Sequence, residues 1–248
     1  MWFARCLPCR RTTMESPQAP VGVSGSTTPL AQARGLVLMV AVHAESSQRS
    51  GLRFVTDVLH ANGLATLDVT LHTAHERALG IAPPGLVAAK HRLRAIFQWL
   101  SVHPALAGLP IALVGIDGAV RSCIAAAARY RLPSLRSLVL LEGQPFQAAQ
   151  LMARLSQPTL LVIGACDART LGKHRAALRQ MSAPSRLDML PLRTRPTPAA
   201  GVHQAFAHAT LQWIAQTLPR EGDATPRPAA SPCRALPDPR HDAAGIGA

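Results

Sequence analysis

The feature that most constrains the fold is an apolar run that ends in a glycine-bounded turn and passes straight into an alanine-rich helix pattern. The run is Ile111 to Val114, the turn is Gly115-Ile-Asp-Gly-Ala119, and the helix pattern follows over residues 120–131. A strand–turn–helix of this shape presents one side chain of the turn at the edge of a parallel sheet, and small neighbours let the helix pack closely on the strand. The presented side chain here is Asp117.

Apolar runs and amphipathic patterns alternate along most of the chain. The continuous apolar runs are typical of parallel strands that are covered on both faces. The expected strands are residues 35–42, 65–71, 111–114, 135–141, 159–164 and 186–190, and the expected helices are residues 49–62, 84–103, 120–131, 147–156, 171–181 and 202–218. This alternation predicts an α/β fold with a doubly wound, mainly parallel sheet and helices on both faces.

Composition divides the 248 residues into one ordered body and two tails. Residues 1–34 are rich in Pro, Ser, Thr and Gly, which predicts a flexible N-terminal segment. Residues 219–248 contain six prolines without apolar periodicity, which predicts a disordered tail. We therefore expect a single domain over residues 35–218.

The chain is basic, with a formal net charge of +13. The body holds 18 Lys and Arg residues against 8 Asp and Glu residues, with local concentrations at residues 90–94, 129–136 and 173–179. A basic surface can attract nucleic acid. However, no nucleic-acid motif accompanies it, and one Tyr and five Phe are few for stacking bases. We do not expect a nucleic-acid partner.

Membrane, metal and cofactor roles find little support in the sequence. No 18-residue apolar span or secretory signal is present, so we expect a cytoplasmic protein without a membrane anchor. Cys6 and Cys9 have metal-pair spacing but no second pair. His72, His75 and Glu76 also lack a second cluster, and we interpret them as a polar surface loop. We expect neither a metal nor a cofactor; a small-molecule ligand and any oligomeric state stay open.

Several short segments along residues 36–216 occur in an order and at a spacing that are also found in a known protein family. They are Gly35-Leu-Val-Leu-Met-Val-Ala-Val-His43, Gly63-Leu-Ala-Thr-Leu67, Arg92-Leu93 with Trp99-Leu100, Ala107-Gly-Leu-Pro-Ile111, Pro158-Thr-Leu-Leu-Val-Ile-Gly164 with Asp167, and Trp213-Ile214. Together they resemble the dienelactone-hydrolase-like branch of the α/β-hydrolases. The resemblance implies an α/β-hydrolase fold, with the turn at Asp117 as the nucleophile elbow.

The resemblance also assigns positions to the catalytic triad. The nucleophile position falls on Asp117 instead of Ser, the acid position on Asp167, and the histidine position on Arg195. The oxyanion loop falls on His43-Ala44-Glu-Ser-Ser47, so both of its glycines are replaced, and Gly118 lies next to the nucleophile position. Three of these four catalytic features therefore depart from the family pattern, and only the acid at Asp167 is kept.

These departures leave two hypotheses of different kinds. Serine attack needs a base, and Arg195 stays protonated, so the first hypothesis is a catalytically impaired homologue, a pseudoenzyme kept for binding or regulation. The second is an active hydrolase of esters, lactones, epoxides or haloalkanes with Asp117 as nucleophile and an unidentified base, for which His203 is a weak candidate. An Asp117–Arg195–Asp167 charge cluster is a further expectation, because a buried carboxylate needs a partner.

Overall fold

A computed structural model describes residues 33–43, 46–103, 106–130, 132–164, 166–190 and 199–219. Nearly all of the predicted flexible N-terminal segment and of the predicted disordered tail lies outside these residues. Ala44 and Arg195 also lie outside them. The predicted domain boundaries therefore stay predictions.

Six parallel strands form one sheet in the order β2-β1-β3-β4-β5-β6. The strands are β1 (Gly35–Ala41), β2 (Leu64–Thr70), β3 (Ile111–Ile116), β4 (Leu135–Leu141), β5 (Thr159–Ile163) and β6 (Ser185–Met189). The helices are α1 (Ser46–Ala61), α2 (Ala74–Ala78), α3 (Leu86–Val102), α4 (Val120–Arg129), α5 (Ala149–Met152), α6 (Ala168–Leu178) and α7 (Ala199–Thr217). The predicted doubly wound, mainly parallel α/β sheet is confirmed.

The sheet is covered on both faces, as its continuous apolar strands require. Every residue of β1 is buried, and its side chains alternate between two cores. Leu36 and Leu38 pack with residues of α3 and α4 on one face. Val37 and Met39 pack with residues of α1 and α7 on the other.

The strand order places a crevice where the direction of winding reverses. The chain passes from β1 outward to β2 and then returns to the other side of β1 with β3. In open parallel sheets, ligands bind beyond the carboxyl ends of the strands at such a switch point. His43 follows β1 and Asp117 follows β3, so both lie at this place in the fold.

Several local expectations differ from the structure. Helices α1, α6 and α7 each begin three residues before the expected start, and in α6 the start is capped by Asp167. The expected helix over 147–156 is a 3-10 turn, Pro145–Ala148, followed by the four-residue α5. The expected surface loop at residues 71–76 was wrong for His72, which is only 4% exposed. Thr73 instead caps α2 through a reciprocal pair of hydrogen bonds with Glu76.

Candidate active site

The turn between β3 and α4 is a strained, tightly packed elbow. Asp117 has a φ of 47°, in the left-handed region, and opens a 3-10 turn that leads directly into α4. A side chain at Gly115 would place its Cβ 3.0 Å from the Cys123 sulfur, a tight contact that glycine avoids and that lets α4 pack closely on β3. The left-handed conformation costs a non-glycine residue roughly 1–2 kcal/mol, which the surrounding packing has to offset.

A second carboxylate, Glu142, lies beside the elbow at the end of the neighbouring strand. The register of β3 and β4 pairs Ile116 with Leu141, so Asp117 and Glu142 are the next residue on each strand. Glu142 is also left-handed, with a φ of 58°. Two acidic residues therefore occupy unfavourable backbone conformations side by side, and sequence reasoning had not singled out Glu142.

Gly143 joins these two turns. Its φ is 76°, and a Cβ added there would lie 2.6 Å from the Asp117 carbonyl oxygen. No side chain can occupy that space without moving the backbone of the elbow. The turn after β4 and the turn after β3 are therefore fitted to each other at the level of the main chain.

The environment of Glu142 disfavours additional negative charge. Its Oε1 accepts a hydrogen bond from the backbone N–H of Gly164, at 3.0 Å. Burial raises the pKa of the Glu142 carboxyl, the Gly164 N–H works in the opposite direction, and the Asp117 charge raises the pKa further. The pair thus favours a proton, a cation or a hydrogen-bond donor over an anion.

Asp167, the expected triad acid, lies at the start of α6 and is exposed. One carboxylate oxygen accepts from the backbone N–H of Thr170 at 2.8 Å, and the other accepts from the Thr170 hydroxyl at 2.8 Å. These bonds, the backbone one first, lower the pKa of Asp167. Its carboxylate is occupied as the helix N-cap, a role that stabilises the fold.

No hydrogen bond within the described part of the chain joins a histidine to Asp117 or Asp167. His203, the weak candidate base, lies half-buried on α7. His43 instead pairs with His72, their Nδ1 atoms 3.2 Å apart. The His72 Nε2–H donates to the Ile81 carbonyl at 2.9 Å, so with both rings neutral the His43 Nδ1–H donates to His72 and the His43 Nε2 is an acceptor.

The expected oxyanion loop is described only in part. A Cβ at Gly118 would meet the Val42 side chain at 3.2 Å, so the end of β1 packs against the elbow beside His43. The expected Asp117–Arg195–Asp167 cluster stays a prediction, since Arg195 lies outside the described residues. Within the described ranges no three His, Cys, Asp or Glu side chains form a metal-binding group. No described helix is long and apolar enough to cross a membrane.

Comparison with solved structures identifies the fold. A dienelactone hydrolase from Anabaena variabilis superposes with a TM-score of 0.70 at 24% identity, over 84% of this chain and 96% of that protein. Est1E from Butyrivibrio proteoclasticus gives a TM-score of 0.56 at 15% identity, over 74% and 90%. A cold-adapted esterase from an Arctic intertidal metagenomic library gives 0.57 at 11%, over 76% and 84%. The chain has an α/β-hydrolase fold, as the resemblance implied.

Curated relatives come from two strains of Mycobacterium tuberculosis, and both are named as proposed phosphoribosyl transferases. Each is 27% identical over 213 residues, which is 85% of this chain and 47% of the relative. The chain thus spans about half the length of the curated relatives it matches. No protein-family model matches it.

Proposed function

We propose that this protein is an α/β-hydrolase-fold protein that does not carry out serine-type acyl transfer, a catalytically impaired homologue whose elbow serves as a binding site. The observation that carries the proposal is the residue at the elbow. Asp117 has a strained left-handed backbone at the turn where the resemblance places the nucleophile, and a second carboxylate, Glu142, lies beside it. The fold keeps the frame of a hydrolase, whereas the groups at the site are those of a carboxylate pair.

Electrostatics argue against acyl transfer at this site. An acyl-transfer transition state develops negative charge on an oxygen, and enzymes stabilise it with N–H groups aimed at that atom. Two carboxylates next to the same position oppose this charge. A carboxylate pair instead suits a ligand that offers hydrogen-bond donors or positive charge. We therefore propose a small donor-rich or cationic molecule as the ligand class of the elbow.

A serine-directed fluorophosphonate and a panel of short esters test the loss of acyl transfer. We expect no labelling and no turnover by the wild-type chain, and only slow labelling of Asp117→Ser, because no described histidine is bonded to the elbow. Peptide mapping assigns any label, and Ser122→Ala excludes the nearby buried serine of α4. Rapid labelling of Asp117→Ser would show that a base serves position 117 and would contradict the impaired site.

A second candidate is an active hydrolase that uses Asp117 as nucleophile, and a specific observation favours it. Neither the 3-10 turn nor α4 has a side-chain cap, so the Asp117 carboxylate is not occupied in the way that Asp167 is. In this reaction, Asp117 attacks the carbon of a haloalkane or epoxide and forms an ester. Halide leaves, or the epoxide oxygen takes a proton. Water, losing a proton to a base, then cleaves the ester at its carbonyl carbon.

Under this candidate His43 is the base to test first, ahead of His203. It follows β1, the strand next to the elbow, and its ring is held by His72. Turnover in water labelled with oxygen-18 would place the heavy oxygen in the Asp117 carboxylate, and His43→Gln would stop the cycle at the ester. If product formed without label in the elbow peptide, Asp117 would not be the nucleophile.

The transferase activity in the names of the M. tuberculosis relatives is not part of this proposal. A phosphoribosyl transferase binds pyrophosphate, and the helix N-terminus at a sheet edge is the usual place for such an anion. Here that position, the start of α4, carries Asp117 with Glu142 beside it. We propose that the named activity belongs to the part of those relatives that this chain does not match. A cytoplasmic location stays a prediction.

A further inference from the structure

A cleft lies between α3 and α4 at the edge of the sheet opposite Asp117. Both helices run antiparallel to the strands, so their C-terminal ends meet at the edge of the sheet that is formed by the amino ends of the strands. Helix α4 has 10 residues and thus separates Asp117 from the cleft by roughly 15 Å. The cleft has a volume of about 260 Å³ and is lined by Arg94, Phe97, Gln98, Ser101, Arg129, Tyr130 and Leu132.

The cleft has an apolar floor and a polar rim. Phe97 and Leu132 are buried and belong to the core beneath it. Arg94, Gln98 and Arg129 are exposed at the rim. A cleft with an apolar floor and a few convergent polar groups is typical of a small-molecule site. Its volume lies just below the roughly 300–1,000 Å³ of typical ligand pockets, which favours a smaller molecule.

The charge of the cleft lining is one-sided. The lining residues include two arginines, Arg94 and Arg129, and no acidic residue. The two ion pairs found among the described residues involve Arg92 and Arg186. The guanidinium groups of Arg94 and Arg129 have no carboxylate partner there.

An aromatic ring positions one of these guanidinium groups. The Arg94 Cζ lies 5.6 Å from the centre of the Tyr130 ring. Tyr130 is held in turn by its backbone N–H, which donates to the Ala126 carbonyl at 2.8 Å and ends α4. A guanidinium stacked on a ring keeps its N–H edges available for an anion. The C-terminal ends of α3 and α4 each carry about half a negative elementary charge, so the two full charges of Arg94 and Arg129 leave the cleft with net positive charge.

We propose that this cleft binds a small phosphate-bearing molecule through Arg94 and Arg129. Guanidinium groups match phosphate oxygens in a bidentate geometry, and two of them at one rim suit a phosphate monoester or a diphosphate. Gln98 and Ser101 add hydrogen-bonding groups, although the Ser101 hydroxyl already donates to the Phe97 carbonyl at 2.8 Å. The site is independent of the elbow, since the two lie at opposite edges of the sheet.

Calorimetric titration of the full chain with inorganic pyrophosphate at constant ionic strength tests the proposal. We expect saturable binding that weakens roughly tenfold in Arg94→Gln or Arg129→Gln and is lost in the double variant. Arg121→Gln is the matched control, because it removes the same charge from an exposed position of α4 outside the cleft. Thermal unfolding checks that the double variant is folded.

Two results would overturn the proposal. The first is absence of pyrophosphate binding, or weakening of equal size in Arg121→Gln, which would show attraction by overall charge alone. The second is binding of a DNA duplex that pyrophosphate does not displace, which would make the basic surface a nucleic-acid contact. Displacement of a phosphate monoester by pyrophosphate, with loss of both in the double variant, would support a site for small phosphates.

Discussion

Two junctions of the sheet each pass from a strand to a helix through an aspartate, yet the two aspartates are placed differently. At the β5–α6 junction Asp167 has an extended backbone, with φ −66° and ψ 159°, and caps its own helix through Thr170. At the β3–α4 junction Asp117 is left-handed, and neither the 3-10 turn nor α4 has a side-chain cap. Asp167 stabilises the fold as a cap, whereas the backbone of Asp117 costs it stability, and we propose that the Asp117 carboxylate serves a ligand.

Under the proposal, a family motif keeps its position and changes its task. Asp167, where the resemblance places the triad acid, has its carboxylate occupied by Thr170. Asp117, where the resemblance places the nucleophile, has a strained left-handed backbone. Backbone strain of this kind clusters at functional sites, and for this reason we propose the elbow, with Glu142 beside it, as the binding site.

The largest effect is expected at Gly143. A methyl group there meets the Asp117 carbonyl oxygen at 2.6 Å in a backbone with φ 76°, so Gly143→Ala should lower the free energy of unfolding by on the order of 3 kcal/mol. Urea unfolding measures it. Gly172→Ala on α6 is the control, because nothing lies within 4 Å of its added Cβ and alanine favours the helix by up to about 1 kcal/mol. Equal effects at the two glycines would contradict the fitted elbow.

The second effect separates capping from catalysis at Asp167. Asp167→Ala should cost about 1 kcal/mol of stability, the usual value of an N-cap. Asp167→Asn keeps an acceptor oxygen for Thr170 and should remain within a few tenths of a kcal/mol of wild type. Thermal melts of both variants give the comparison. An Asn variant as unstable as the Ala variant would show that the charge, and not the cap, is what matters.

The third prediction is an increase in the free energy of unfolding, and it concerns Asp117. Asp117→Gly removes the left-handed strain and should raise stability by up to about 0.5 kcal/mol, after the greater entropy of unfolded glycine is counted. Asp167→Gly, at a backbone that any residue adopts, should lower it. A loss of stability in Asp117→Gly, measured by the same melts, would mean that the Asp117 side chain makes stabilising contacts.

The smallest effect is a pH dependence at Glu142. Its folded-state pKa is raised by burial and by Asp117, so the ionised carboxyl destabilises the fold, and this cost grows as pH rises above about 4.5. Glu142→Gln keeps an oxygen for the Gly164 N–H and should be slightly more stable than wild type at pH 7. This advantage should vanish below about pH 4.5. A constant advantage across the range would exclude ionisation as its cause.

The sequence predicts the scaffold well because the scaffold depends on local patterns. Apolar runs predicted the central strands, alternating patterns predicted β2 and β6, and the turn at Gly115 predicted the elbow. The central strands follow from burial, and the elbow follows from close backbone packing. The α/β-hydrolase fold was predicted from the order of these segments and is confirmed by the solved structures.

The site is harder to predict because its groups meet only through register and capping. Glu142 lies beside the elbow because Ile116 pairs with Leu141 in the sheet, and no local sequence pattern predicts that pairing. His72 is buried because it bonds His43 and the Ile81 carbonyl. A signal for the cap was present, since Asp is among the preferred N-cap residues, but Asp167 was interpreted as a catalytic acid only.

The most direct test of the central claim is the intact mass of the purified chain, together with product analysis, after incubation with short esters, lactones, epoxides and haloalkanes. Asp117→Asn is measured alongside. If the elbow is a binding site lined by two carboxylates, we expect an unchanged mass and no product for both proteins. Product released by the wild-type chain and lost in Asp117→Asn would contradict the account and establish a working hydrolase.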